Sequence, residues 1–348
     1  MNVVRGERWE VSYGLETTYG SDPGTSALTG VLGVFDRATL GDPEIEFMPF
    51  WGITDTVGRT YAVAYKGKWA MSASFSDVLL LNGTTLFLPI GSCTTTGVAA
   101  PYTHTITEAN VLKSITLHAT YWDADGSIVL MRRYMGGKVG RATLAAEEGG
   151  QLRLSFDDVM FKNISHNKSG YPKYSSGIER PTIDYPTTEP YYFSMGKMTI
   201  GGVEFARLRN FRLDINNNCE PRYYVSDNSG EGRIPYEIRE GHKEYSLAAT
   251  IDVSDASLYE EVVQEGTYSN VFKGFQVVIT FTRGTNDTIT VTMPPSTPAA
   301  GTHAQGCLIK KGKLDIVTDP VVPQELDILV RSAQIVVVDS LAASHYEG

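Results

Sequence analysis

Lys68 to Gly83 reads KWAMSASFSDVLLLNG, and Glu244 to Gly266 reads EYSLAATIDVSDASLYEEVVQEG. In the first, Trp69, Met71, Ala73 and Phe75 alternate with Ala70, Ser72 and Ser74, the period-two pattern of a strand with one face against a core. Each run then meets Ser-Asp, whose side chains can accept the orphan N–H bonds of a first helical turn. The spacing predicts a short helix over Asp77–Asn82 stopped by Gly83, and a clearer one over Asp255–Glu265 with Leu258, Val262 and Val263 on one stripe. One strand-then-helix unit is written twice.

Further strands follow each copy in the same order. In the first half they are Lys113–Trp122, Gly126–Tyr134, Gly137–Ala145 and Gln151–Lys162; in the second, Gly274–Arg283, Asp287–Met293, Leu308–Val317 and Leu326–Val338. Asp123 to Gly126 supplies a hairpin turn, and Gly136-Gly137 a turn between strands. The spacing drifts because Thr84 to Asn110 is an insertion peculiar to the first copy. The expected fold is all-β, two tandem β-sandwich or barrel modules each with one short flanking α-helix. Residues 1–30, rich in Gly, Thr, Ser and Asp with little period, read as an arm. The first module spans 31–164, the second 192–340, and 341–348 form a C-terminal tail. Between the modules, residues 165–191 carry Pro172, Pro181, Pro186 and Pro190, which forbid a regular helix or central strand and make a stiff linker.

Length and charge fit this division. A chain of 348 residues exceeds what one hydrophobic core usually serves, so two domains are expected. The net charge of -10 opposes tight binding to nucleic-acid phosphates. Cys93, Cys219 and Cys307 are odd in number and widely spaced, which suits neither a disulfide framework nor a zinc site. The opening MNVVRGERWEVSYG has charges where a signal peptide needs an apolar centre, and no run approaches a membrane span. The chain is expected to stay in the compartment where it is made.

No catalytic constellation survives inspection, and no cofactor or metal is expected. Asp123-x-Asp125 begins like a calcium loop, but its twelfth position is Tyr134 where a bidentate Glu is required. Gly136-Gly137-Lys138 lacks the earlier Gly and the hydroxyl of a phosphate loop. The six histidines are scattered, and His118, alternating with Ile115 and Leu117 in a strand, reads as a half-buried wall residue. Neighbouring acids such as Asp157-Asp158 point to opposite faces of a strand and do not converge.

Two aromatic-rich loops stand apart. One contains Phe50 and Trp51 and leads to Tyr61 and Tyr65; the other contains Tyr223 and Tyr224 and leads to Tyr236. Each is either a local cover for the core or a docking surface for another subunit, since clustered large aromatics favour interfaces. Glu44 and Glu46 against Ile45 and Phe47, and Arg212 and Asp214 against Leu213 and Ile215, suit a sheet wet on one side.

With LETTYGSDPGT near the start, FDRATLGDPEIEF before the first aromatic loop, and RRYMGGKVGRATLAAEEGGQLRLSFDDVMFKN closing the first module, the chain resembles the major tail tube protein of long flexible-tailed phages, in the form with two fused tube modules. The resemblance implies a structural subunit and no enzyme. Three chains would supply six modules per ring, and stacked rings would form a channel for double-stranded DNA. The loops Pro49–Tyr65 and Asn217–Lys243 would make subunit or inter-ring contacts, residues 1–30 would be the arm, and Glu44, Glu46, Asp214 and Asn216 are lumen candidates. Implied partners are further copies of the chain, a tape-measure protein, and tail terminator and distal tail proteins. DNA would pass without specific binding, no membrane would be entered, and the chain would reside in the virion tail after assembly in the host cytoplasm. The other reading is a receptor- or carbohydrate-binding β-sandwich of a tail tip or cell surface.

Overall fold

The computed structural model describes residues 4–35, 37–41, 43–50, 63–183, 185–204, 208–225, 233–252, 274–296, 306–314 and 323–346. Its first half runs β1 (Val4–Leu15), β2 (Arg37–Leu40), β3 (Glu44–Phe50), β4 (Val63–Ala70), β5 (Ser72–Leu79), one helical turn α1 (Phe87–Ile90), β6 (Gly91–Thr96), β7 (Tyr102–Glu108), β8 (Ile115–Asp123), β9 (Ile128–Glu147), β10 (Arg153–Met160) and β11 (Asn163–His166). The second half runs β12 (Gly196–Ile200), β13 (Val203–Glu204), β14 (Leu208–Asn216), β15 (Glu220–Arg222), β16 (Glu237–Arg239), β17 (Glu244–Asp252), β18 (Val277–Thr282), β19 (Thr288–Met293), β20 (Leu308–Leu314), β21 (Pro323–Val330) and β22 (Gln334–Asp339). The chain is all-β in character, and its strands pair antiparallel.

A front sheet passes through both halves in the order β2-β5-β10-β9-β14-β17-β21-β20. Its first four strands and its last four follow one order along the sheet. The two rows join where β9 pairs with β14, from Glu147 opposite Asn210 to Arg141 opposite Asn216. Alternation explains the layering: on β14, Phe211, Leu213 and Ile215 are buried, whereas Asn210 and Arg212 are exposed and Asp214 and Asn216 half-exposed.

Behind the second row lies a sheet ordered β13-β12-β18-β19-β22-β7-β6, and Phe211 meets Phe281 across the layers with ring centres 5.9 Å apart. Its last two strands come from the first-half insertion, joined where β22 pairs with β7. Most buried apolar residues therefore form one cluster containing Phe75 and Phe156 as well as Phe211, Phe281 and Val337, beside a small second one of Leu112, Cys219 and Ile238.

Several local expectations change. The apolar run after Ser76-Asp77 is the end of β5 and a turn, not a helix. Asp77 takes a φ of 54°, its N–H donates to Ser155 Oγ at 3.0 Å, and Val78 and Leu80 enter the core. The expected helix Asp255–Glu265 lies outside the described residues. Gly136-Gly137 makes no turn: β9 continues through it, with Gly136 at φ 69°. This positive φ lets one strand pair with β8 and β11 before it and with β10 and β14 after it. Leu326–Val338 is two strands, interrupted at Arg331–Ala333, and Pro323 opens β21 rather than ending a strand.

Of residues 1–30, read from composition as an arm, Val4–Leu15 form a strand on the chain's own sheet. β1 pairs with β8 from Trp9 opposite Tyr121 to Leu15 opposite Ile115, with Val11 and Tyr13 buried. The signal was present as Trp9, Val11, Tyr13 and Leu15 at period two. The Pro-rich segment 165–191 is strapped across the same region. Arg180 donates to both Glu10 carboxylate oxygens at 2.7 and 3.2 Å, and Tyr185 Oη donates to Glu10 at 3.0 Å.

Candidate functional site

Aromatic side chains from both halves meet at one end of the front sheet. The Tyr223 hydroxyl donates to the carbonyl of Trp69 at 2.5 Å, which fastens the segment after β15 to β4. Lys68 Nζ lies 5.0 Å from the Tyr223 ring centre and Lys173 Nζ 5.7 Å from that of Trp69, both within cation–π range. Nearby, Tyr224 and Tyr236 contact edge to face at 5.4 Å, and Lys162 Nζ sits 5.3 Å from the rings of both Tyr19 and Tyr236. Ile238 N–H donates to Tyr19 Oη at 2.7 Å.

Of these groups, Lys162, Lys173, Tyr224 and Tyr236 line an open groove of about 610 Å³, together with Val225 and others. Tyr236 is 63% exposed and Tyr224 47%, so neither covers the core. Of the other aromatic candidates, Phe50 and Tyr65 occupy β3 and β4, with Tyr65 opposite Met48 and Phe50 opposite Val63; Trp51 and Tyr61 lie outside the described residues. Sequence reasoning missed Tyr19, Lys162 and Lys173, because they come from distant segments. It also placed Phe47 on a buried face, whereas Phe47 is 59% exposed. The register shifts between Ile45 and Phe47 and breaks the simple alternation.

The four polar candidates divide into two places. Glu44 and Glu46 are exposed on β3, in the hairpin with β4. Asp214 and Asn216 lie on the open face of the front sheet. There Asp214 accepts both oxygens' bonds from Arg212 Nε at 2.9 and 3.1 Å. Thr143 Oγ1 lies 2.8 Å from carboxylate oxygens of both Asp214 and Asp157, a chain of contacts that crosses the β10–β9–β14 seam. The same face presents Ser72, Ser74, Ser155, Ser246, Thr250, Glu325 and Asp327, with Lys310 and Lys311 at its edge.

Buried polar groups are structural. His118 is fully buried, not half-buried. It receives Arg133 Nε–H at Nδ1 over 3.5 Å and bonds Thr120 Oγ1 at 2.9 Å. Arg133 continues to Asp22 at 2.5 Å, to Thr25 Oγ1 at 2.6 Å and to the Glu179 carbonyl at 3.3 Å. Burial, reinforced by the Arg133 charge, pushes the His118 pKa down to about 4, so the ring is neutral near pH 7. In the back sheet, His104 Nε2 lies 3.1 Å from Asp339, and Thr95 Oγ1 lies 2.9 Å from His104 Nδ1. Tyr346 stacks on His104 at 3.7 Å and donates to Asp339 at 2.5 Å. Thr95, His104 and Asp339 have the order of a nucleophile relay, but the imidazole is sealed beneath Tyr346, with both residues fully buried. Asp123 does form the expected turn, accepting from Asp125 N at 3.0 Å and Ser127 N at 2.9 Å. Among the described residues no His, Cys, Asp and Glu cluster could hold a metal ion, and no helix is long and apolar enough to cross a membrane.

The described strands thus build an antiparallel two-layer wall with a polar open face. A family model described as phage tail tube protein matches residues 6–306, and the chain belongs to that family. It is a structural component of the virion tail that self-assembles into a tail tube, not an enzyme. No curated protein matches it.

Proposed function

We propose that this chain is the major subunit of a tail tube whose copies join side by side into rings that stack around a channel for double-stranded DNA. The observation that carries this reading is the front sheet itself, two rows of four strands in one order, already fused edge to edge at β9 and β14. A row that accepts a like row on its edge can be continued by a second chain, and repetition of one contact is how symmetric rings are generated. Three chains would give six rows and a pseudo-six-fold ring. The domain division at 31–164 and 192–340 corresponds to these rows in this reading.

The open face of the front sheet would line the channel. Asp157, Asp214, Glu325 and Asp327 lie there among Arg141, Arg153 and Arg212, with Lys310 and Lys311 at the edge, and hydroxyls fill much of the rest. Cations there that are paired with carboxylates, as Arg212 is with Asp214, make weak phosphate contacts, so such a surface would let DNA pass without tight binding. Asp214 and Asn216 belong to this lumen, whereas Glu44 and Glu46 belong to the hairpin side. The groove at Tyr224 and Tyr236 would face a neighbouring ring. A tape-measure protein would fill the channel during assembly in the host cytoplasm, with terminator and distal tail proteins at the tube ends. Negative-stain microscopy of the purified protein at high concentration tests this: rings or tubes are expected, and a persistent monomer counts against it.

Tyr224 and Tyr236, side by side on one open groove, are also what a carbohydrate-binding protein would use. Reproducible hits on a glycan array, abolished by Tyr236→Ala, would favour that second reading.

A further inference from the structure

We infer that the groove beside Tyr224 and Tyr236 binds an acidic saccharide, a pyranose unit that carries a carboxylate or a sulfate. The inference rests on the carbohydrate reading of this groove and adds the charge of the ligand and the residues that select it. It does not depend on ring formation, although a neighbouring ring and a saccharide would compete for the same surface.

The two aromatic rings are fixed before a ligand arrives. β15 and β16 form a two-stranded hairpin, with Glu220 opposite Arg239 and Arg222 opposite Glu237, and Tyr236 N–H donates to the Arg222 carbonyl at 2.8 Å. The Tyr224 hydroxyl donates to Glu237 at 2.9 Å, and the ring planes stand at 74°. They make an exposed corner on a short, pinned hairpin. The C–H groups on one face of a pyranose carry slight positive charge and pack on the negative face of such rings. Asn163 also lines the groove and brings an amide, which can both donate to and accept from sugar hydroxyls. The volume of about 610 Å³ suits a small ligand of this kind.

Two lysines set the charge. Lys162 Nζ is held 5.3 Å from the ring centres of Tyr19 and Tyr236, and Lys173 Nζ 5.7 Å from that of Trp69. Neither pairs with a carboxylate among the described residues. Lys138 gives the contrast: its Nζ lies 4.9 Å from the Tyr19 ring centre too, but Glu240 takes it at 2.8 Å. Lys173 also adopts a φ of 68°, with its carbonyl accepting His166 N–H at 3.1 Å. A non-glycine residue held in this conformation is a costly placement, of the sort that gathers at ligand sites. Two cations left unpaired in a chain of net charge -10 are complementary to an anionic group bound between them and the rings. A nucleic acid would also stack on tyrosines, but the acidic balance of the chain opposes a long phosphate backbone.

The test is calorimetric titration of the full-length protein with oligogalacturonate and its neutral methyl ester, and with dextran sulfate and dextran oligomers as a second pair. The acidic member of at least one pair should bind about tenfold or more tightly than its neutral partner, with the preference shrinking as salt is raised. Lys162→Gln and Lys173→Gln, made separately, should each reduce that preference while leaving the affinity for the neutral sugar and the melting temperature unchanged. Tyr236→Ala should weaken both members of the pair. Equal affinity for acidic and neutral members would overturn the charge assignment and leave the carbohydrate reading standing. Binding to none of the four probes would overturn both, and rings seen by microscopy would still support the tube. A preference that survives both lysine substitutions would also overturn the assignment, as would tighter binding of a polyglutamate peptide or of oligothymidylate at the same tyrosines.

Discussion

Asn217 stitches the two rows together at Gly140. Its N–H donates to the Gly140 carbonyl at 2.8 Å, while its side-chain Nδ2 donates to the carbonyls of Val139 at 2.9 Å and Pro89 at 3.0 Å. The residue is 1% exposed, so water does not replace these bonds. Asn217→Asp keeps the shape and turns the donor into a charge facing two carbonyl oxygens. It should destabilise the chain by about 3 kcal/mol or more, and by more than Asn217→Ala does. Denaturant unfolding of the two variants checks the order, and equal losses would show that the side-chain donor is not what holds the seam.

Gly136 permits β9 to serve two pairings without a break. Its φ is 69°, and an added Cβ would lie 2.7 Å from Lys162 Cβ. Gly136→Ala should cost more than about 1 kcal/mol, since both backbone and space oppose it. Gly149, also at positive φ but with open space around it, provides the control: Gly149→Ala should cost less. Thermal melts of both variants decide.

His118 makes stability depend on acidity. Its pKa in the fold is about 4 against an ordinary 6.5, so the unfolded chain binds the proton more readily. The stabilisation is complete above about pH 6.5, declines as pH falls from there to about 4, and amounts to at most about 3 kcal/mol. Arg133 opposes the charged ring, while Glu10 and Asp22 favour it less strongly. His118→Gln should flatten the unfolding free energy between pH 4 and 6.5; an unchanged pH slope would assign the acid sensitivity elsewhere.

Tyr346 closes the back sheet from the C-terminal side. Tyr346→Phe removes the donor to Asp339 Oδ2 and should cost about 1 to 3 kcal/mol. Tyr346→Ala also empties a fully buried site and should cost about 3 to 5 kcal/mol. If the two variants unfold at the same denaturant concentration, the ring's packing on His104 contributes nothing.

Much of the front sheet was legible in the chain because strands with one wet face carry a period-two signal, as in Trp69 to Phe75 and Phe211 to Ile215. The duplicated order of elements was legible for the same reason. Asp77 was misread because Ser-Asp before an apolar run also fits a strand bulge, and only the pairing with Ser155 separates the two. Phe47 was misread because a register shift inverts the faces without leaving a mark in composition. At the aromatic site, Tyr223, Tyr224 and Tyr236 stood out as a cluster, but Tyr19, Lys162 and Lys173 carry no local pattern that ties them to it.

By itself the sequence determined an all-β chain with an acidic balance, since these properties reside in local periodicity and composition. Only the tertiary structure decided that the two halves of the chain share one front sheet through β9 and β14, and that the first half's β6 and β7 complete the back sheet of the second through β22. Strand partners far apart in the chain are chosen by backbone hydrogen bonding and by burial of a common face, and neither is encoded at any single position.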